Sequence, residues 1–384
     1  MDFGKIIDRR DTESSKWHYY DRDVLPMWVA DMDFRSPECV IQALHKRVEH
    51  GIFGYGCAPE GLHEAIVQHL ADYQSWAVNP SDINFVSGVV TGFTHAIYSL
   101  TEPGNSVLIQ TPVYPPILKA PAATNRQCVQ NSLIQRQDGK YEIDFDDFKR
   151  KAASGVKLFI LCNPQNPVGR VFTREELTQM AEICLENDIL ICSDEIHADL
   201  LFSGYQHLPI ANLSPEVADK TVTYFAPSKT YNLAGLSTSI YVTQNPELKK
   251  RLCNTFPMLL GHPNILGLHA ARAAYQDGRQ WLHELLAYLE SNRDYLVDFV
   301  QHELPGIDMW KPEGTFLGWL DCRALGLESP HAFFLEEGRV GFNDGKSFGK
   351  VGDGFLRINF GCPRATLIEG LNRMKDALRT ASIK

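Results

Sequence analysis

The sequence predicts an α/β fold: a large unit on a mostly parallel central sheet flanked by helices, with a smaller α+β unit beside it. Three observations predict it. Apolar, β-rich runs alternate with stretches of helical period from about residue 80 to residue 245. The last hundred or so residues change to one long helical pattern followed by short strands. The chain's 384 residues also exceed a single domain of roughly 150.

In chain order, Ser36-Pro37 opens a helix through about His50, with Gly51 as its stop. Strands are expected at Ile83–Val86, Ser106–Ile109, Lys157–Cys162, Ile189–Ser193 and Thr221–Phe225. Thr173 starts a helix with a capping box, since Glu176 stands three residues on and Leu177, Met180, Ala181 and Leu185 share one face. A long helix from about Gln280 to His302 leads into Pro305-Gly306. Strands near Phe316–Leu320 and Phe355–Phe360 follow, and a terminal helix begins near Arg364. The expected division is a large unit over 46–275 and a small one made of 1–45 and 276–384.

Composition narrows the function. Lys plus Arg total 37 against 47 Asp plus Glu, a net charge of −10. Such a surface repels phosphate on average, which excludes broad capture of nucleic acid or anionic membrane and leaves open a local pocket for one small anion. No apolar run is long enough for a signal-peptide core or a membrane span. Nine scattered cysteines without a C-x-x-C read as buried reduced thiols, so a cytoplasmic protein is expected and no metal.

Several apparent motifs break. Gly54-Tyr55-Gly56 has Pro59 where a dinucleotide loop needs its last glycine, and Gly345-Lys346-Ser347 has Val340 where a P-loop needs its first. Gly235-Leu236-Ser237-Thr238-Ser239 lacks the closing glycine of a nucleophile elbow. His63-Glu64 finds its next histidine only at His69, too far for a zinc-protease helix.

Three polar clusters do hold, because each falls where a strand should end. Leu158–Cys162 runs into Asn163-Pro164-Gln165-Asn166-Pro167-Val168-Gly169, Ile189–Ser193 into Asp194-Glu195-Ile196-His197, and Thr221–Phe225 into Ala226-Pro227-Ser228-Lys229-Thr230. Ligands of open α/β sheets bind outside the carboxyl ends of the strands. An Asn, an Asp and a Lys delivered to one rim are therefore a chemical constellation.

With those clusters the chain resembles, over nearly its whole length, a fold-type I pyridoxal-phosphate enzyme of the class I/II aminotransferase superfamily. The resemblance implies the PLP-dependent transferase fold and pyridoxal 5′-phosphate as cofactor. Lys229 resembles the Schiff-base lysine that later serves as the mobile base at substrate Cα. Asp194 resembles the carboxylate that keeps the pyridine nitrogen protonated; an ion pair at about 3–4 Å and an effective dielectric near 20 is worth roughly 4 kcal/mol before desolvation. Asn166 resembles the donor to the ring oxygen, with Pro167 in a cis bond. Ser87-Gly88-Val89-Val90 resembles the loop whose N–H groups hold the phosphate. Tyr114 resembles the aromatic stacked on the ring, with a catalytic part in orienting the substrate. Tyr55 resembles the tyrosine that reaches a neighbouring subunit's phosphate, which implies a homodimer with shared active sites. Arg357 resembles the arginine that grips the α-carboxylate.

Departures sharpen this. Ser237 stands where the superfamily usually has an arginine, His197 where it has a tyrosine, and Ala226 where it has a serine, leaving Ser228 as the phosphate-side hydroxyl. Together with Pro26-Met27-Trp28-Val29-Ala30-Asp31-Met32-Asp33-Phe34 they resemble the cystathionine β-lyase, or cysteine C–S lyase, branch of MalY/PatB type. There Ala30 and Asp31 lie beside the substrate carboxylate and His197 borders the cofactor. The expectation is a lyase that splits cystathionine or related S-substituted cysteines into a thiol, pyruvate and ammonia. An aminotransferase is the alternative within the fold, and a cofactor-bearing regulatory protein the alternative outside catalysis.

Overall fold

Apolar runs, with one polar edge strand, form a seven-stranded sheet in a computed structural model that describes residues 1–255 and 263–381. Its strands are β1 (Ile83–Val86), β2 (Ser106–Thr111), β3 (Gln127–Ser132), β4 (Val156–Cys162), β5 (Leu190–Asp194), β6 (Thr221–Phe225) and β7 (Ser239–Val242). They lie in the order β1-β7-β6-β5-β4-β2-β3. Every pair from β6 to β3 is parallel, while β7 runs antiparallel to both of its neighbours. The five expected strands are present, shifted by one or two residues at some ends.

The sheet is covered on both faces, as strand alternation requires. Val107, Ile109, Leu158, Ile160 and Cys192 face one core with Val89, Phe93, Ile97 and Leu100 of helix α3 (Val89–Leu100). Their neighbours Leu108, Phe159, Leu161 and Ile191 face the other, with Leu177, Met180 and Cys184 of α5 (Arg174–Glu186). Glycine is required at position 92 of α3. A Cβ there would lie 2.4 Å from the Tyr224 ring, so this residue lets the helix settle onto β6. Helix α5 starts on its capping box: Thr173 Oγ1 accepts from the Glu176 N–H at 3.2 Å, and Glu176 accepts from the Thr173 N–H at 2.8 Å, worth about 1 kcal/mol.

The remaining helices bring distant chain together. Helix α1 (Glu38–Glu49) ends at Gly51, which takes the left-handed conformation at φ 75°. Helix α2 (Leu62–Gln74) precedes the sheet, α4 (Pro115–Ala123) follows β2, and α6 (Ile265–Asp277) leads into the long α7 (Arg279–Glu303). A second, four-stranded sheet comprises β8 (Asp308–Met309), β9 (Leu317–Asp321), β10 (Asn343–Asp344) and β11 (Phe355–Asn359), in the order β8-β9-β11-β10, followed by α8 (Arg364–Thr380). The N-terminal segment packs beside this sheet. Leu25–Pro26 pairs in parallel with Val340–Gly341, and Phe3 meets Trp281 and Tyr288 edge-on or tilted. Phe3, Met27 and Phe34 share a core with Leu285, Leu317 and Leu356.

Candidate active site

The carboxyl ends of β4, β5 and β6 open into one cavity of about 410 Å³. Asn166, Asp194, His197, Ser228 and Lys229 line it from these strand ends. Ser87, Gly88, Val89 and Val90 line it from the β1–α3 junction, Tyr114 from the start of α4, and Arg357 from β11. Ala30 belongs to the same wall, together with Trp28 and Val29. The Asn166–Pro167 bond is cis, as expected, and Asn163–Pro164 and Thr111–Pro112 are cis too.

Two expected residues lie elsewhere. Asp31 adjoins the Ala30 wall, but its carboxylate turns away to Arg9, 2.8 Å from Nη2, and so does not enter the cavity. Tyr55 is fully exposed, at 100%, and sits outside the cavity beside Phe53 and Ile265.

The electrostatics follow from burial. The amine of Lys229 donates to the Ala30 carbonyl at 2.6 Å. Desolvation outweighs that contact and pushes the amine down to about 8, with the Arg357 charge acting in the same direction. At neutral pH roughly a tenth of the chains would carry it neutral. Burial pushes the Asp194 carboxyl up to about 7, against a single backbone hydrogen bond from the Ile196 N–H at 3.2 Å. A cation pressed against it would restore its charge. His197 is pushed down to about 3 by burial and by the Lys229 and Arg357 charges, so it is neutral, and its Nδ1 has no partner. Tyr114 is raised by burial.

Arg357 is the most informative member. It is 3% exposed, and its fork donates to Asn166 Oδ1 at 3.0 Å, Asn343 Oδ1 at 2.6 Å and the Trp28 carbonyl at 2.9 Å. Its guanidinium lies 5.0 Å from the Phe348 ring centroid. Its Nε is unpartnered, and among the described residues it pairs with no carboxylate, so burial lowers it to about 10. A buried cation held only by neutral groups is a site for an anion.

These residues fit pyridoxal 5′-phosphate on the structure's own terms. The first turn of α3 has no side-chain cap, and a Cβ at Gly88 would meet only Thr91 Oγ1, at 3.8 Å. Free N–H groups there face open space, which suits a phosphate. Asp194 supplies a carboxylate that needs a cation, and His197 Nδ1 an orphaned polar atom. Among the described residues no group of three or more His, Cys, Asp or Glu is arranged to hold a metal, and no helix is long and apolar enough to cross a membrane.

Sequence reasoning missed Trp28, Val29, Asn343 and Phe348. It also missed Asn232 and Asn359, whose only signal is their spacing, three residues after Lys229 and two after Arg357. Ser237, Thr238 and Ser239, set aside as a failed nucleophile elbow, line the cavity. Ser237 does so in the left-handed conformation at φ 45°.

Comparison with known proteins agrees with this geometry. The family model for aminotransferase class I and II matches residues 22–374. The chain is 42% identical to cystathionine beta-lyase PatB of Bacillus subtilis, over 98% of this chain and 100% of the relative. The solved structure of cystalysin from Treponema denticola, which contains a pyridoxal 5′-phosphate cofactor, is similar at TM-score 0.95 and 32% identity, over 99% of each chain. The PLP-bound C-S lyase from Staphylococcus hominis is similar at TM-score 0.92 and 35% identity, over 98% of this chain and 97% of that one.

Proposed function

Since the chain belongs to the aminotransferase class I and II family, we propose that it is a pyridoxal-phosphate-dependent carbon–sulfur lyase acting on cystathionine or related S-substituted cysteines. The overall reaction consumes one water and releases a thiol, pyruvate and ammonium. The observation that carries the carbon–sulfur bond is the 42% identity to cystathionine beta-lyase PatB over 98% of the chain. The cavity supports the amino-acid part, since a buried guanidinium that lacks a carboxylate suits an α-carboxylate, and a buried amine lowered to about 8 stands in the same cavity.

When bound, the cofactor supplies an electron-withdrawing ring that makes the substrate's Cα–H acidic. Asp194 would pair with its ring nitrogen, Asn166 and His197 would border its ring oxygen, and Tyr114 would cover one face. The N–H groups at Gly88–Val90 and the Ser228 hydroxyl would hold its phosphate. Arg357 takes the α-carboxylate in its fork, and the Ala30 wall closes on that carboxylate from the other side. This fixes the substrate with Cα toward Lys229. The Lys229 amine, kept partly neutral by burial, takes the Cα proton and can return a proton to the departing thiolate. The apolar wall of Trp28, Val29 and Phe348 excludes water while this happens.

The exposed run of Ile52 at 66%, Phe53 at 57% and Tyr55 at 100% offers an apolar face for a second copy. We place a homodimer there, with Tyr55 reaching the partner's phosphate end. The proposed division of the chain is a cofactor-binding unit over 46–275 and a small unit from 1–45 and 276–384. Nine unpaired thiols favour a cytoplasmic setting.

Replacing Lys229 with Ala tests the assignment. Turnover and the cofactor's visible absorbance band bound to the amine are both expected to vanish. Undiminished turnover by the purified variant would overturn the role given to this residue.

A further inference from the structure

The segment from Met27 to Phe34 is an irregular strap, bent at Val29–Ala30 and Asp33–Phe34, that supplies the Trp28–Ala30 wall of the cavity, and its carbonyls are claimed one after another. Met27 O accepts from the Asn359 N–H at 2.9 Å, and Trp28 O from Arg357 at 2.9 Å. Val29 O accepts from Asn359 Nδ2 at 2.6 Å and Ala30 O from Lys229 at 2.6 Å. Asp31 O accepts from the same Asn359 Nδ2 at 2.7 Å, and Met32 O from Asn232 Nδ2 at 2.9 Å. Asn232 reaches further, donating to Phe34 O at 2.8 Å and accepting from the Met32 N–H at 3.0 Å.

Two asparagines thus stitch the strap from opposite sides. Asn232 follows Lys229 by three residues in the loop after β6, and sits at φ 59°, a conformation Asn tolerates better than most residues. Asn359 follows Arg357 by two residues on β11. On the outer side the strap is anchored by charge. Arg9 pairs with Asp31 at 2.8 Å and Asp33 at 2.7 Å, Lys16 with Asp33 at 2.6 Å, and Trp17 Nε1 donates to Asp33 at 3.0 Å.

We propose that Asn232 and Asn359 are positioning residues, which set the strap so that its Ala30 and Trp28 carbonyls hold the Lys229 amine and the Arg357 guanidinium in one frame. The strap ties the sheet that carries the amine to the sheet that carries the carboxylate grip. Misplacing it by an ångström would separate two groups that must meet one small substrate. This rests on the roles given above to Lys229 and Arg357.

The test uses the full chain in Asn232→Gly, which keeps the left-handed backbone but removes all three ties, and in Asn359→Ser. Asn232→Asp, which retains only the acceptor, serves as an intermediate case. The first readout is the rate at which cofactor-stripped protein captures pyridoxal 5′-phosphate, followed by absorbance between about pH 6 and 10. In the unaltered chain this rate is expected to rise as Lys229 loses its proton, through about pH 8. With the Ala30 carbonyl displaced, the ammonium loses a partner and the midpoint moves to lower pH by roughly half a unit or more. The second readout is turnover of S-methyl-L-cysteine by the loaded enzyme. KM is expected to rise roughly tenfold because the Arg357 grip is loosened, and kcat to fall as well because the Lys229 amine is no longer held opposite it.

Folded variants with lowered melting temperature but unchanged capture midpoint and KM would assign the asparagines a purely structural role and overturn the proposal. If the unaltered protein turned over no S-substituted cysteine, the functional reading would fail, while the capture midpoint would still decide the strap's role.

Discussion

Substituting Asp194 with Asn isolates the energetic consequence of building a cofactor site into the fold. The carboxyl is 4% exposed, and its pKa of about 7 stands well above the ordinary 3.8. The folded chain therefore binds the Asp194 proton more tightly than the unfolded chain does. Its contribution to stability is fully present below pH 3.8 and is lost as pH rises through about 7. A shift of about three units corresponds to ~4 kcal/mol, most of which falls between pH 5 and 8, where it amounts to roughly 2.5 kcal/mol. Asn cannot ionise, so the cofactor-stripped variant should gain about that much on the stripped parent when both are moved from pH 5 to pH 8. Urea unfolding of the two stripped proteins at each pH measures it. With pyridoxal 5′-phosphate bound, the gain should disappear, because the ring nitrogen's charge relieves the penalty. Stability differences between the two stripped proteins that agree within about 0.5 kcal/mol at both pH values would refute the claim that Asp194 is a buried carboxylate awaiting a cation.

Other consequences can be checked alongside. Arg357→Leu removes a charge-assisted fork worth about 3–4 kcal/mol, so kcat/KM for S-substituted cysteines should fall by two to three orders of magnitude; steady-state kinetics decide, and a loss below about threefold would count against the carboxylate grip. Tyr55→Phe should weaken cofactor retention roughly tenfold or more if the hydroxyl reaches a second copy's phosphate. Equilibrium dialysis would show this, and unchanged retention by a dimer would remove Tyr55 from the site.

Much of the site was legible because three strands deliver their polar clusters to one rim. Asn166, Asp194 and Lys229 each follow a buried apolar run, and parallel pairing of β4, β5 and β6 forces those ends together. Less visible were β3 and β7. The first is a polar edge strand, Gln127–Ser132, with no apolar alternation to betray it. The second is four residues long, Ser239–Val242, and follows directly on the loop through Gly235 and Ser237. The strap's ties were invisible for a different reason: its carbonyls are backbone atoms, and any residue order could supply them. Only the side chains that claim them, Asn232 and Asn359, are encoded, and neither belongs to a motif with a chemistry of its own. Asp31 shows the converse limit. Its position beside Ala30 was legible, but its direction was set by Arg9, 22 residues earlier in the chain.

The proposed reaction eliminates a thiol from an S-substituted cysteine. Incubating the purified, cofactor-loaded protein with L-cystathionine, with no keto acid present, and counting products tests it most directly. Continuous turnover is expected, with free thiol and pyruvate released in equal amounts. Turnover that begins only when a keto acid is added, and that yields a new amino acid without free thiol, would contradict it and make the protein an aminotransferase.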